Sequence, residues 1–296
     1  TDGVLVVGMS EIEGKKPYEN SGIETGDKII KINNKVIDNT DELIACVNSS
    51  NGKSLEIQYI SENEEKTTKI EPVKTSTNEY KLGLWVRDAA AGVGTLTFYE
   101  PSTGEFGALG HGINDVDTLE LIDIASGELV TTNIVDIVKG EDGSPGEIRG
   151  TIENGTTLGK IYKNTSFGIY GGIDSIAKLN LVNSQELEVA NRDEIKTGKA
   201  EILCELENDK TESYEIEIQR IFIDNNENNK SMLIKVTDEE LIEKTGGIIQ
   251  GMSGAPIIQN GKFIGAVTHV LVNDAKSGYA VFGDLMIKQM REVDNK

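Results

Sequence analysis

From about residue 80 to its end, the chain is a succession of short apolar or alternating runs separated by glycine-containing turns. Runs of this length are typical of strands, and Asn-Gly or Asp-Gly pairs between them are typical of antiparallel hairpins. About 200 residues of this pattern predict one or two antiparallel barrels or sandwiches. The 32 glycines and 5 prolines in 296 residues agree with a turn-rich, mainly β fold. The runs are GTLTFYE, GEIRGTI, LGKIYKN, AKLNLV, YEIEIQRIFI, SMLIKV, APIIQ and FIGAVTHVLV, followed by DLMIKQMREV, which predicts a terminal helix.

The charge and the cysteines exclude several classes of function. The chain has 50 acidic and 29 basic residues, a net charge of −21, and such a surface repels phosphate backbones, so we expect no nucleic-acid partner. Cys46 and Cys204 lie far apart, and neither has a second cysteine or a histidine at metal-ligand spacing, so we expect free thiols. We therefore expect no metal.

The first 75 residues have the pattern of a small α+β domain. The segment SGIETGDKIIKINNKVI (residues 21–37) contains a tight turn at Gly26-Asp27, a strand and a hairpin turn at Asn33-Asn34. Thr40 is a candidate N-cap for a helix that places its apolar residues on one face. These apolar residues are Leu43, Ile44 and Val47.

This segment resembles the PDZ domains of bacterial protease-associated proteins. The resemblance is carried by Gly22-Ile23-x-x-Gly26-Asp27-x-Ile29-x-x-Ile32-Asn33. It implies that the backbone of Gly3, Val4, Leu5 and Val6 binds a peptide carboxylate and that the strand after it pairs with an extended peptide.

The domain boundary is predicted from composition. Residues 61–80 are polar and charged and end in a Thr/Ser stretch, which is typical of a linker. We therefore predict a first domain over residues 1–75 and a second over residues 76–296.

His111 is one of only two histidines in the chain; the other is His269. It lies between Gly110 and Gly112, which allow a tight backbone turn and leave the imidazole uncrowded at the end of a strand. A serine nucleophile needs such a base near neutral pH. His111 is therefore a candidate general base.

Ser253 lies in GMSGAP, between Gly251 and Gly254 and before Pro256. In such a bend the N–H groups of Gly251 and Ser253 can converge on one point and form an oxyanion hole. The pattern G-x-S-G-x-P resembles the nucleophile loop of chymotrypsin-like serine peptidases, with Met252 where an acidic residue is often found. By this resemblance Thr268, His269 and Val270 line the substrate cleft, and the site needs no metal or organic cofactor. His269 is also a second, weaker candidate for the base.

The acid that would orient the imidazole is not fixed by these residues alone. The candidates are Asp88, Asp115, Asp117 and Asp238. Asp115 and Asp117 are near His111 in sequence, but an orienting acid usually comes from another segment.

Four longer segments closely resemble the stage IV sporulation protein B peptidase family, PDZ-containing serine peptidases that are membrane-anchored. The segments are LGLWVRDAAAGVGTLTFYEP, FGALGHGI, VTDEELIEKTGGIIQGMSGAPI and NGKFIGAVTHV. The resemblance implies a chymotrypsin-like double β-barrel after the PDZ domain, with His111, Asp238 and Ser253 as the catalytic residues. The chain departs from the family at Ala255, where a second serine is usual.

The resemblance also implies a function. It implies cleavage of a membrane-bound regulator of an intramembrane protease, which activates a late sigma factor, together with self-cleavage. It further implies an extracytoplasmic location between the forespore and mother-cell membranes, with an N-terminal anchor upstream of Thr1. The alternative is a catalytically inactive PDZ adaptor that binds peptide segments, for which Ala255 and Met252 are the motivation.

Overall fold

The computed structural model describes residues 3–62, 64–174, 186–208, 210–224 and 228–292, without the side chains of residues 153–156. The chain divides into two compact units. Unit 1 comprises residues 1–91 and 114–125, and unit 2 comprises residues 92–113 and 126–296. The run AKLNLV (residues 177–182), predicted as a strand, lies outside the described residues.

Unit 1 is an antiparallel sheet with one helix. The sheet order is β5-β4-β2-β1-β8, with β3 paired to β2 and a separate β6-β7 pair. Alternate residues of each strand enter the core, as in β4, where Leu55, Ile57 and Tyr59 are buried. The elements are β1 (Val4–Met9), β2 (Lys28–Ile32), β3 (Lys35–Val36), α1 (Thr40–Ser49), β4 (Leu55–Ser61), β5 (Glu64–Ile70), β6 (Val73–Lys74), β7 (Tyr80–Lys81) and β8 (Leu84–Arg87).

Local predictions for unit 1 are mostly confirmed. Asn33 and Asn34 form the β2–β3 turn with φ of 50° and 63°, the conformation a two-residue hairpin turn requires. The predicted helix is present, but its N-cap is Asn39, whose side chain accepts the N–H of Glu42 at 2.9 Å. Leu43 and Val47 are buried, whereas Ile44 is 49% exposed.

The predicted linker over residues 61–80 is wrong for its first half. Residues 64–70 are β5, which pairs along the whole of β4. Composition is misleading here because β5 is at the edge of the sheet, where charged side chains are common and discourage pairing with other chains.

Unit 1 also extends beyond residue 75. β8 pairs with β1 on the side opposite β2, so the sheet is completed by residues 84–87. The segment 114–125 belongs to the same unit and is held by two ion pairs, Arg87 Nη1 to Asp115 Oδ2 at 2.7 Å and Lys28 Nζ to Asp123 Oδ2 at 3.0 Å. The β1–β8 pairing and these ion pairs join residues that are far apart in sequence.

Unit 2 begins with a five-stranded antiparallel sheet in the order β11-β12-β13-β10-β9. Phe106, Ala108 and Ile169 form its buried cluster. The strands are β9 (Leu96–Tyr99), β10 (Glu105–Ala108), β11 (Gly127–Val138), β12 (Glu147–Thr165) and β13 (Gly168–Ile173).

The second half of unit 2 is a closed six-stranded barrel in the order β14-β15-β16-β19-β18-β17. The large core cluster of the molecule fills this barrel. Asn260 and Gly261 form the predicted β17–β18 turn, with φ of 51° and 74°. The strands are β14 (Gly198–Glu207), β15 (Lys210–Ile221), β16 (Met232–Val236), β17 (Pro256–Gln259), β18 (Lys262–Leu271) and β19 (Asp274–Phe282).

Two helices belong to unit 2. α2 (Glu239–Thr245) precedes the segment that leads to Ser253, and α3 (Gly283–Arg291) is the predicted terminal helix. Both cysteines are free, as expected, and Cys204 is buried in the barrel. None of the described helices is long and apolar enough to cross a membrane.

The Arg87–Asp115 pair generates a prediction for unit 1. The Asp115 side chain is fully buried and also accepts the N–H groups of Asp117 and Thr118, each at 3.0 Å. Burial alone would raise the pKa of Asp115, but these hydrogen bonds and Arg87 outweigh it and lower the pKa below its ordinary 3.8. We expect Asp115→Asn to destabilise the protein by about 2 kcal/mol at pH 7 in thermal or chemical unfolding.

The pH dependence follows from the direction of the shift. A carboxylate whose folded pKa is lowered contributes stability above its ordinary pKa and loses that contribution as pH falls through the folded pKa. The difference between the wild type and Asp115→Asn should therefore narrow below about pH 4. Asp117→Asn is the matched control, since it pairs with the same arginine but is 46% exposed, and it should have a smaller effect. Equal effects of the two variants would contradict this account.

Candidate active site

The loop that carries Ser253 is packed directly against backbone from the first sheet of unit 2. Gly254 has φ of 92°, and a Cβ at this position would lie 2.3 Å from the carbonyl oxygen of Thr95 and 2.6 Å from the nitrogen of Leu109. The N–H of Thr95 donates to the carbonyl of Ser253 at 2.8 Å. A side chain at position 254 would therefore separate the two segments, which explains the glycine after the serine.

Two backbone N–H groups of this loop are free to bind an oxyanion. Within the described part of the chain, the N–H groups of Gly251 and Ser253 have no hydrogen-bond partner. The carbonyl of Gly251 is held by the hydroxyl of Thr95 at 3.1 Å, which fixes the orientation of the neighbouring peptide. Unpaired N–H groups that are already fixed in position are what an oxyanion hole requires. The assignment of Gly251 and Ser253 to such a site stays a prediction.

His111 is the third residue after the end of β10, and Leu109, between them, lies against Gly254 of the serine loop. Gly110 packs against β18, since a Cβ on it would lie 3.1 Å from Thr268 Cγ2. The His111 Nδ1 lies 2.8 Å from the carbonyl oxygen of Gly112. A carbonyl can only accept, so Nδ1 carries the proton and Nε2 of the neutral ring is left as the proton acceptor. This is the tautomer that a general base for serine needs.

The second histidine lies against the first. The rings of His111 and His269 have centroids 4.9 Å apart and planes inclined by 36°. His269 is partly exposed to solvent. Partial removal of water from the rest, then the nearby His111 and Lys230, lowers the pKa of His269 to about 4. His269 is therefore neutral near pH 7.

Ser253 is connected to this pair through β18. Its Oγ donates to the carbonyl oxygen of Thr268 at 3.0 Å, and His269 is the next residue. Thr268 is buried, His269 is partly exposed and Val270 packs against the barrel core. The role of these three residues in binding substrate stays a prediction.

The edge of β18 supports that prediction. The ladder with β17 begins at Pro256 opposite Ala266, and its last bonds join Gly254 and Ala255 to Val267. Beyond Val267, residues 268–271 pair with β19, and no other described strand lies on the opposite edge. An extended peptide can therefore add to β18 next to Ser253.

The structure does not bring Asp238 to either imidazole. Asp238 is the N-cap of α2: its Oδ1 accepts the N–H of Leu241 at 3.0 Å, and its Oδ2 accepts the N–H of Glu215 at 3.3 Å. Across the described residues, no carboxylate is hydrogen-bonded to His111 or His269. The assignment of Asp238 as the orienting acid stays a prediction.

The other candidate acids are also engaged elsewhere. Asp88 accepts the N–H of Thr40 at 2.6 Å, and Asp115 and Asp117 bind Arg87 within unit 1. The partner that the structure gives to His111 Nδ1, the carbonyl of Gly112, has no sequence signature, because every residue has a carbonyl.

Residues 252 and 255 face the protein interior. Met252 is 1% exposed and Ala255 is fully buried, and both belong to the barrel core. A hydroxyl at position 255 would therefore be buried in the barrel core. The departure at Ala255 is thus compatible with Ser253 as the predicted nucleophile.

The predicted peptide site on β1 does not agree with the strand pairing. Val4, Leu5 and Val6 lie within β1, where Leu5 pairs with Lys28 of β2 on one side and with Arg87 of β8 on the other, and the N–H of Val6 donates to the carbonyl of Asp27 at 2.8 Å. The prediction that the backbone of Gly3, Val4, Leu5 and Val6 forms a loop that binds a peptide carboxylate is thus corrected. The exposed edge on this side of the sheet belongs to β8.

α1 lies alongside the segment that contains β8. The N–H of Tyr80 donates to Asn48 Oδ1 at 2.8 Å, and the N–H of Thr40 donates to Asp88 Oδ2 at 2.6 Å. These bonds tie the two ends of α1 to residues before and after β8. For metals, the described residues contain no group of three or more His, Cys, Asp or Glu side chains that could hold an ion.

Comparisons with known proteins identify both parts of the chain. A model of the SpoIVB peptidase S55 family matches residues 78–287, and a PDZ domain model matches residues 1–71. A search of curated proteins finds no match.

Solved structures give weaker likenesses. The PDZ domain of an SdrC-like protein from Listeria monocytogenes is 20% identical, over 30% of this chain and 90% of that chain, with a TM-score of 0.26. The active form of the Rv3671c protease from M. tuberculosis is 14% identical, over 46% of this chain and 63% of that chain, with a TM-score of 0.30. An inactive form of the Rv3671c protease is 13% identical, over 48% and 75%, with a TM-score of 0.31. TM-scores below 0.5 do not establish a fold by themselves.

The packing of the serine loop gives a testable prediction. In Gly254→Ala the methyl group would displace Ser253 from the segment at Thr95 and Leu109. We expect labelling of Ser253 by a fluorophosphonate probe to fall by about 100-fold or more, since small displacements at a reacting group have effects of this size. Labelling is measured by intact-protein mass spectrometry.

Gly261→Ala is the matched control. Gly261 also has positive φ, 74°, but a Cβ there meets open space. This variant should lose about 1–2 kcal/mol of stability and keep its labelling rate. Equal labelling of Gly254→Ala and the wild type would show that the contact does not position the serine.

Proposed function

Because the chain belongs to the SpoIVB peptidase S55 family and is a serine peptidase with a PDZ domain, we propose that it is an endopeptidase of endospore-formation signalling. Its substrate in this proposal is a membrane-bound regulator that restrains an intramembrane protease, and a second substrate is the protein itself. The proposed location is the space between the forespore and mother-cell membranes. The family assignment and the sequence resemblance support these finer statements.

The catalytic proposal rests on one observation, which is that the loop of Ser253 and the loop of His111 both contact β18. Ser253 bonds to Thr268, and the ring of His111 contacts His269, the next residue along the strand. The nucleophile and the base are thus held by consecutive residues.

The reaction starts from a serine hydroxyl that donates to the Thr268 carbonyl. A peptide that adds to the free edge of β18 brings its own N–H groups to this edge and competes for that carbonyl. The Ser253 hydroxyl is then released and can rotate about its Cα–Cβ bond. We propose that substrate binding in this way turns the hydroxyl toward the base.

Proton and bond changes then follow the serine peptidase scheme. As Ser253 Oγ forms a bond to the scissile carbonyl carbon, His111 Nε2 takes the hydroxyl proton. The negative charge on the carbonyl oxygen is stabilised by the N–H groups of Gly251 and Ser253. His111 next gives its proton to the leaving nitrogen as the C–N bond breaks, and water releases the acyl group by the same steps.

The PDZ unit has a separate proposed role. An extended peptide pairs with the free edge of β8, next to α1, because β8 is the last strand on this side of the sheet and covers β1 from Leu5 to Met9. The segment Leu82-Gly83 immediately precedes β8 and is buried.

Substitution of the serine tests the activity. Ser253→Ala should abolish fluorophosphonate labelling and self-cleavage during incubation, while the barrel remains folded by circular dichroism. Ser144→Ala, an exposed serine in a turn, is the control and should behave as the wild type. If labelling does not depend on Ser253, the protein is a PDZ adaptor and the peptidase proposal is rejected.

Hydrogen exchange tests the peptide edge. A peptide selected from a library with free C termini should slow amide exchange in residues 83–87, because the added strand pairs with β8. Residues 4–9 should change little, since without ligand β1 already pairs with β2 at Val4 and Leu5 and with β8 from Leu5 to Met9. Protection confined to residues 4–9 would contradict the β8 proposal.

A further inference from the structure

His269 has a position that the family assignment does not explain. The chain contains two histidines, and their rings are in contact although they come from residues 158 positions apart. The Ser253 hydroxyl donates to the carbonyl of Thr268, the residue before His269. The ring of His111, which comes from the loop after β10, contacts the ring of His269. A residue that only lined the cleft would not need to touch the base.

The surroundings of His111 contain neutral groups in place of a carboxylate. Nδ1 donates to the Gly112 carbonyl, and the ring lies against His269. When Nε2 takes the serine proton, His111 becomes an imidazolium, and the groups around it must then accommodate a positive charge. A carboxylate would do this by charge attraction, but the described residues place none in hydrogen-bond contact with either ring.

An aromatic ring face can stabilise a neighbouring cation. For Phe, Tyr and Trp, rings with centroids 4.5–7 Å apart are in favourable contact, and a cation within about 6 Å of a ring centroid is attracted to the ring face. A neutral imidazole is also an aromatic ring, and the same geometry applies to it. The separation of 4.9 Å satisfies both conditions. We propose that His269 is a positioning residue for His111: its ring holds the base in place and stabilises the imidazolium that forms during acylation.

This role requires His269 to be uncharged. A protonated His269 would repel the imidazolium of His111, and Lys230 is already a nearby cation. The lowered pKa of His269 keeps it neutral near pH 7. The inference rests on the proposed serine peptidase mechanism, since it concerns the base of that reaction.

Three substitutions at position 269 distinguish the effect of an aromatic ring from the effect of side-chain volume. His269→Phe keeps an aromatic face, His269→Leu fills a similar space without one, and His269→Ala removes both. We expect His269→Phe to be labelled by the fluorophosphonate within about threefold of the wild-type rate, and His269→Leu and His269→Ala about tenfold more slowly. The substitutions should lower the maximal labelling rate and leave unchanged the probe concentration at which half of that rate is reached.

A double-mutant comparison tests whether His269 acts through His111. In the His111→Ala background, labelling is slow and is followed over days by intact-protein mass spectrometry. His269→Ala should cause no further loss there, because the group on which it acts is gone. A tenfold loss in both backgrounds would overturn the proposal and make His269 a residue of the cleft wall.

Controls distinguish the possible failures. Thermal unfolding of each variant shows whether it is folded, and His269→Phe and His269→Leu remain informative if His269→Ala is not. Equal labelling of the Phe, Leu and wild-type proteins, with labelling still dependent on Ser253, would overturn the role of His269 alone. Labelling that does not depend on Ser253 would instead reject the peptidase function.

Discussion

The close approach of Gly254 to the backbone of Thr95 and Leu109 is the contact on which the site depends. It joins the loop before β17 to the end of β10, and these segments are about 150 positions apart in the chain. The same contact carries the Thr95–Ser253 hydrogen bond and places the strand that ends at Leu109 next to the serine loop. Only a residue without a Cβ permits it, so one glycine determines whether the base and the nucleophile can be neighbours.

Features determined by local interactions could be predicted from the sequence. The turns at Asn33-Asn34 and Asn260-Gly261 require positive φ at both positions, which these residue types tolerate and most others do not. The serine loop and His111 were identifiable for the same reason, because glycines surround them. The terminal helix follows from its apolar spacing, with Leu285, Met286 and Met290 buried.

Features determined by pairing between distant segments could not be predicted. Whether β1 has a free edge depends on where residues 84–87 lie, and nothing within the Gly3–Val6 segment itself carries that information. β5 has a linker-like composition because an edge strand in water needs few apolar residues. The contact of His111 with His269 was likewise hidden, although the presence of only two histidines made each of them notable.

The position of Asp238 shows how a carboxylate can matter to a site without contacting the predicted base. It caps α2, and the dipole and N–H groups at a helix N-terminus stabilise a carboxylate there. α2 ends at Thr245, whose hydroxyl bonds to the carbonyls of Leu241 and Gly247 at 2.8 and 2.6 Å, and the chain then runs directly to Gly251 and Ser253.

Loss of the Asp238 carboxylate would therefore loosen the helix that leads to the predicted oxyanion hole. Activity would fall whether or not the group ever touches an imidazole. A loss of activity on substitution of Asp238 would show that the site needs this residue. It would not show that Asp238 binds His111, because the partner of His111 is identified only by the hydrogen bonds that His111 makes. In this structure that partner is the Gly112 carbonyl, with the ring of His269 beside it.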